Sequence, residues 1–259
     1  MFSTTPNNAL SYAIGIPARF ESTRFPGKPL ALLAGTPMIA HVVQRALEAD
    51  LGQVIVATDH QGIADVAKDA GASIAMTRAD HQSGTARLAE AMSDIDVDVV
   101  INVQGDEPLI EPQAIRDVVI PFTHQVDLQM ATLAHPIRQA ADLDDPNVVK
   151  VVCNAVGHAM YFSRASIPYP RSQDALTQTN TLQHVGLYAY RKDFLLQYNS
   201  LAPCQAEHSE QLEQLRVLYH GYPIAVTVGN YHCLGVDTPE DMQRAELLLK
   251  QNKTSIHKQ

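Results

Sequence analysis

Long apolar runs are missing from this sequence of 259 residues. No stretch approaches the roughly 20 continuous apolar residues of a membrane span, and the first residues lack the basic, apolar and small-residue order of a signal peptide. The expected compartment is the cytoplasm. Positive charge is also scarce: 19 Lys and Arg stand against 28 Asp and Glu, a formal net charge of −9. A polyphosphate backbone demands a dense cationic surface, so this balance argues against a nucleic-acid groove. Any phosphate ligand has to be met by a few local basic residues or by a metal. Cysteine is limited to Cys153, Cys204 and Cys233, an odd number with no CxxC spacing, which argues against a disulfide framework, a zinc site or a redox pair. The sequence also has no GxG, no HExxH, no GxSxG, no internal repeat and no low-complexity tract, and His41, His60 and His220 show no ligand spacing.

What is present is a regular alternation. Ser11–Pro17 is a short apolar run ending in proline, followed by a polar loop and by Pro37–Asp50, where Met38, Val42, Ala46 and Leu47 fall at helical spacing. Gln53–Thr58 reads as the next strand, with Asp59 as N-cap of a helix through Ala70, and Ser73–Met76 as a third strand. Asp96–Val103 is almost continuously apolar, as a central strand covered on both faces must be. Strands alternating with helices predict a mostly parallel sheet, flanked by helices, whose ligands bind beyond the strands' carboxyl ends. From about Met130 the rhythm changes to strand-like segments separated by turns, which predicts a mixed or antiparallel subregion over roughly residues 130–215 of a single domain, 1–259. Glu207–Tyr219 reads as a helix and Ile224–Val228 as a strand. Thr238 and Asp241 form a capping-box-like start to the last helix.

Four stretches carry chemistry. Pro17–Leu30 gathers Arg19, Arg24 and Lys28 in an acidic chain, between prolines that stiffen the loop. It is a phosphate-binding arrangement or a solvated loop, and it is not a Walker A loop, since Pro29 follows Lys28. Val103–Pro108 puts Asp106 and Glu107 at the rim of the most apolar strand, and magnesium needs only one or two carboxylates beside waters and substrate phosphates. Asp237, just before the last helix, is a possible second carboxylate, though taken alone it reads first as a helix-cap or loop residue. Met76–Arg87 mixes Arg78, His81, Gln82, Ser83 and Thr85 after a strand, which suits either reading of a base edge or a turn with an N-cap at Ser83 or Thr85.

Taken together, IPARFESTRFPGKPL, MTRADHQSGT, VQGDEP, YFSRASIP, HVGLYAYR, EQLEQLRVL and GVDTPED resemble the 3-deoxy-manno-octulosonate (Kdo) cytidylyltransferase family, in family order and across almost the whole chain. The resemblance implies an α/β, Rossmann-like nucleotidyltransferase that forms CMP-Kdo and pyrophosphate from CTP and Kdo for lipopolysaccharide synthesis. It further implies Mg²⁺ as cofactor and a homodimer formed through the mixed subregion. Carried over residue by residue, it assigns Arg19 and Lys28 to the CTP phosphates, Arg78 and Ser83 to the cytosine, and Asp106 and Asp237 to the metal. It also assigns Gln104 to both nucleotide and sugar acid, and matches Arg164, His184, Tyr188, Glu210 and Gln214 to sugar-acid positions. Read without the family, His184 and Tyr188 line a core face and Glu210 with Gln214 is an ordinary i,i+4 pair. Ala86 and Cys204-Gln205 depart from the family pattern. The same chemistry on 8-amino-Kdo or a sialic acid, or a non-catalytic nucleotide-binding protein, are the alternatives.

Overall fold

The computed structural model of the chain describes residues 10–21, 25–169, 171, 181–231 and 234–256. Arg24 and Cys233, singled out above, lie outside these residues. Among the described residues one sheet of nine strands forms the centre, and its main path runs β11 (Ile224–Val228), β7 (Met130–Pro136), β10 (Leu182–Arg191), β6 (Val99–Asn102), β1 (Tyr12–Pro17), β4 (Gln53–Thr58), β5 (Ser73–Met76). Strand β1 (Tyr12–Pro17) pairs in parallel with β4 (Gln53–Thr58) on one side and β6 (Val99–Asn102) on the other, and β4 pairs in parallel with β5 (Ser73–Met76). A two-stranded hairpin, β2 (Leu32–Leu33) and β3 (Thr36–Pro37), stands apart.

Side-chain alternation explains why these strands read as continuous apolar runs. Ile14, Ile16, Val54, Val56, Val99 and Ile101 point to one face, into a core shared with α1 (Met38–Glu48), α2 (Gln61–Asp69) and α4 (Pro112–Asp117). Ala13, Ile55 and Val100 point to the other, against Leu88 and Met92 of α3 (Gly84–Ala91) and its C-cap. Gly15 lets α3 approach: a Cβ there would lie 2.1 Å from Leu88 Cδ1 and 2.6 Å from Met92 Cε. That close approach brings the start of α3 beside the carboxyl end of β1.

The predicted change of rhythm has a definite form. Strand β10 (Leu182–Arg191) runs antiparallel to both β6 and β7 (Met130–Pro136), and so joins the parallel half of the sheet to β7 and its parallel partner β11 (Ile224–Val228). β8 (Lys150–Cys153) and β9 (Ala159–Ser163) form a hairpin attached to the lower end of β10. Two expectations are corrected. Asp59 does not cap α2, whose N-cap is His60; its carboxylate instead accepts from Arg87 Nη2 at 2.8 Å, because a guanidinium only 2% exposed requires a counter-charge. The helix expected over Glu207–Tyr219 is two helices, Gln205–Glu210 and Gln214–Tyr219, broken where Gln211 takes the left-handed conformation at φ 53°.

Candidate active site

The site begins with the backbone at the carboxyl ends of β1 and β6. Gly105 packs directly on β1: a Cβ there would meet the Pro17 carbonyl oxygen at 2.8 Å. The loop after β1 closes on itself through Gly27 N–H to Phe20 O (3.0 Å). Gly27, at φ 69°, then turns the chain into a short 3-10 turn, Lys28–Leu30, that aims Lys28 inward. Lys28 is 9% exposed, and its Nζ donates to Asp106 Oδ2 at 2.7 Å and to Asp237 Oδ1 at 3.1 Å.

Asp237 reaches the cleft because Val236 N–H bonds to Asp106 O (2.9 Å) and because the helix cap falls to another residue. The Asp241 carboxylate accepts from Asp237 N–H (3.2 Å), Thr238 N–H (3.1 Å) and Thr238 Oγ1 (2.9 Å), the predicted capping box. The Asp237 carboxylate is thus turned toward Lys28 rather than toward the helix. Beside this pair, burial and the neighbouring Asp106 and Asp237 charges push the Glu107 carboxyl up to about 8 against the opposing pull of Lys28. Glu107 Oε2 is buried with no hydrogen-bond partner among the described residues.

Arg19, Lys28, Ser83, Gln104, Asp106 and Asp237, far apart in sequence, line one cleft of about 310 Å³. Ser83 is the N-cap of α3, its Oγ accepting from Ala86 N–H at 3.1 Å, so the N-cap reading of this stretch holds and the capped helix end also faces the cleft. Unsatisfied N–H groups and the helix dipole at such an end favour an anion. A neighbouring hollow of about 280 Å³ shares Gly84 and Gln104 and adds Tyr188, Tyr190, Tyr198 and Gln214. Within it Gln214 Nε2 is buried with no partner among the described residues. Arg78 is exposed, paired with Glu90, and lines a third, open hollow that meets the cleft at His81, Gln82 and Ser83.

Arg164, His184 and Glu210 line none of these three hollows. The Arg164 guanidinium donates to the Glu210 and Pro146 carbonyls (2.7 and 2.8 Å), while the Glu210 carboxylate accepts from Ser163 Oγ (2.6 Å) and Arg164 N–H (2.8 Å). Together they hold the end of helix Gln205–Glu210 against β9. His184 lies behind Tyr188, with ring centroids 5.3 Å apart. Two residues that sequence reasoning passed over do line the cleft: Arg87, held by Asp59 and by Thr77 Oγ1 (2.6 Å), and Glu213, whose Oε2 accepts from Thr85 Oγ1 (3.2 Å). The signal for Arg87 was its place one turn inside a helix whose start faces the cleft. Glu213 lies within the motif EQLEQLRVL, but as an acid in an amphipathic helical segment its own chemistry did not single it out.

A mostly parallel sheet, a cationic loop after its first strand and carboxylates beyond two strand ends define a nucleotide-binding transferase of the α/β class. The family described as Cytidylyltransferase matches residues 13–226. A protein of Solibacter usitatus (strain Ellin6076) named 3-deoxy-manno-octulosonate cytidylyltransferase is 50% identical over 91% of this chain and 93% of its own length. One of the same name from Serratia proteamaculans (strain 568) is 48% identical over 93% of this chain and 100% of its own. The chain belongs to the 3-deoxy-manno-octulosonate cytidylyltransferase family. A solved structure described as CMP:2-keto-3-deoxy-manno-octonic acid synthetase complexed with CTP superposes with a TM-score of 0.88 at 42% identity, over 93% of this chain and 99% of that one. A putative glucose-1-phosphate thymidylyltransferase from Bacillus anthracis, in complex with sucrose, shares the fold alone, with a TM-score of 0.65 at 18% identity over 92% of this chain and 95% of that one.

Proposed function

We propose that this chain transfers CMP from CTP to Kdo, releasing pyrophosphate and supplying CMP-Kdo for lipopolysaccharide synthesis. The observation that carries the reading is the convergence of Arg19, Lys28, Ser83, Gln104, Asp106 and Asp237 on one cleft, in a chain of this family. In-line attack of the anomeric hydroxyl on the α-phosphorus needs positioning and neutralisation of growing negative charge more than covalent help. Arg19, Lys28 and the N-terminal end of α3 bind the phosphates and stabilise the leaving pyrophosphate. Gln104, shared by the cleft and the Tyr188–Gln214 hollow, stands where nucleotide and sugar acid meet.

The residues fit magnesium: Asp106 and Asp237 are hard oxygen donors already drawn onto one ammonium, and an orphaned carboxylate oxygen of Glu107 lies beside them. Asp106 and Asp237 hold the ion in this reading. When bound, Mg²⁺ neutralises charge on the α-phosphate and acidifies the attacking hydroxyl. Use of CTP as substrate supports a cytoplasmic location in this reading. Val156, Met160 and Tyr169, exposed on and near the β8–β9 hairpin, support a homodimer through this part of the chain.

The test is pyrophosphate release from CTP with Mg²⁺ and Kdo, run beside UTP, 8-amino-Kdo and a sialic acid. Release confined to CTP with Kdo is expected, preference for another acid would move the substrate, and no release with any acid would sink the reading. Asp106→Asn is expected to cut turnover at least roughly a hundredfold while preserving the fold, as circular dichroism would show. Near-normal turnover in that variant overturns the metal assignment.

A further inference from the structure

The segment from Thr77 to Ser83 leaves β5, turns back and enters α3, and it carries His81 and Ser83 to the cleft and Arg78 to the open hollow that adjoins it. Its two ends are tied: Thr77 N–H bonds to Thr58 O (2.8 Å), and Ser83 caps α3. Between them the segment has one strong anchor, the carboxylate of Glu90 in the last turn of α3. Oε1 accepts from Arg78 N–H (3.1 Å), and Oε2 accepts from Arg78 Nε (3.1 Å) and from His81 Nε2 (2.5 Å). The His81 side chain is only 7% exposed and lines both the cleft and the open hollow, whereas Glu90 lines neither. Glu90 therefore acts on any ligand only through the residues it holds.

We infer that Glu90 is a positioning residue for nucleotide-base selection, fixing Arg78 and His81 so that the junction of the cleft and the adjoining hollow admits cytosine in preference to uracil; this rests on the CTP reading above. The two bases differ in one edge: cytosine presents an amino donor and a ring-nitrogen acceptor where uracil presents a carbonyl acceptor and an N–H donor. A site separates them only if its own donors and acceptors stay fixed, because a mobile partner re-forms a hydrogen bond with either edge. Loss of the carboxylate also leaves the enclosed His81 ring without its acceptor, a cost that displaces the ring rather than leaving it in place.

The experiment compares wild type, Glu90→Gln and Glu90→Ala for KM and kcat with CTP and with UTP, for calorimetric binding of each nucleotide without the sugar acid, and for Tm. Glu90→Gln, isosteric and still an acceptor for the Arg78 N–H, guards against a variant that fails to fold. The expected result in Glu90→Ala is a rise of about tenfold or more in KM for CTP, kcat within a few-fold of wild type, and a fall of similar size in CTP-over-UTP preference in both kinetics and binding, with Glu90→Gln intermediate. Unchanged preference in both variants overturns the proposal, as does an equal loss of kcat with both nucleotides. A wild-type protein that binds CTP no better than UTP overturns the CTP reading itself, a result that calorimetry shows independently of either variant.

Discussion

His184 is buried and its imidazole is held neutral. The Thr132 hydroxyl donates to the Leu187 and Val185 carbonyls (2.8 and 3.1 Å), so Thr132 Oγ1 has only lone pairs left for His184 Nε2 at 2.9 Å, and Nε2 carries the proton. Burial pushes the ring down to about 3. The folded-state pKa lies below that of the unfolded chain, so the unfolded chain takes up the proton first. Stability contributed by the neutral ring is complete above about 6.5 and is lost as pH falls toward the folded value. The expected slope is about 1.4 kcal/mol per pH unit between those limits. Denaturant unfolding at pH 7, 5.5 and 4 for wild type and His184→Gln checks this, and equal slopes in the two proteins would refute it. At this scale the sequence discloses residues whose chemistry is unusual for their surroundings. Lys28, Asp106 and Ser83 stand out as polar groups just past apolar strands or at a helix start. Asp237 stands out less: the Thr238–Asp241 capping box is legible, but sequence alone does not show that Asp237, left outside it, turns toward Lys28. Arg87 and Glu213 stay hidden for the same reason, since what makes each important is a partner distant in the chain.

At the scale of elements, β4, β5 and β11 were legible to the residue, because a short apolar run bounded by turns or polar residues writes its length directly into the sequence. The helices Pro112–Asp117 and Lys192–Gln197 were not, since six residues give too few turns for a helical period to emerge. The break at Gln211 escaped notice because no glycine marks it. A similar non-glycine strain sits in the β2–β3 hairpin. Leu33 pairs with Thr36, and the two residues between them, Ala34 and Gly35, both have positive φ, 51° and 84°. That is the mirror-image turn favoured in two-residue hairpins, which takes Asn-Gly far more readily than Ala-Gly. The left-handed conformation costs alanine roughly 1 kcal/mol that asparagine largely avoids. Ala34→Asn, at an exposed position, is expected to raise Tm by about 2 °C without altering turnover. A scanning-calorimetry experiment showing a lower Tm would contradict the turn assignment.

For the whole molecule, alternation of strands and helices was enough to expect a mostly parallel sheet, but not its strand order. Pairing between distant segments leaves no local trace, and the antiparallel segment read as a subregion is in fact seated within the main sheet. Strand β10 lies between β6 and β7, with Tyr188 opposite both Asn102 and Thr132. A fragment ending before Leu182 would leave β6 and β7 with open, apolar edges. Such a fragment is expected to lack a cooperative unfolding transition and to aggregate, which size-exclusion chromatography and circular dichroism would show; a folded, monomeric fragment would refute this. The placement of β10 bears on how the chain matures. Residues 10 to 102 emerge from the ribosome with every strand of the nucleotide half already made, yet the edge of β6 stays unsatisfied until nearly ninety further residues, through Arg191, have been translated, on the order of ten seconds at about 5–20 residues per second. During that interval the nascent chain is a ready client for chaperones that shield exposed strands, and its yield in a cell depends on them as well as on the stability of the finished fold.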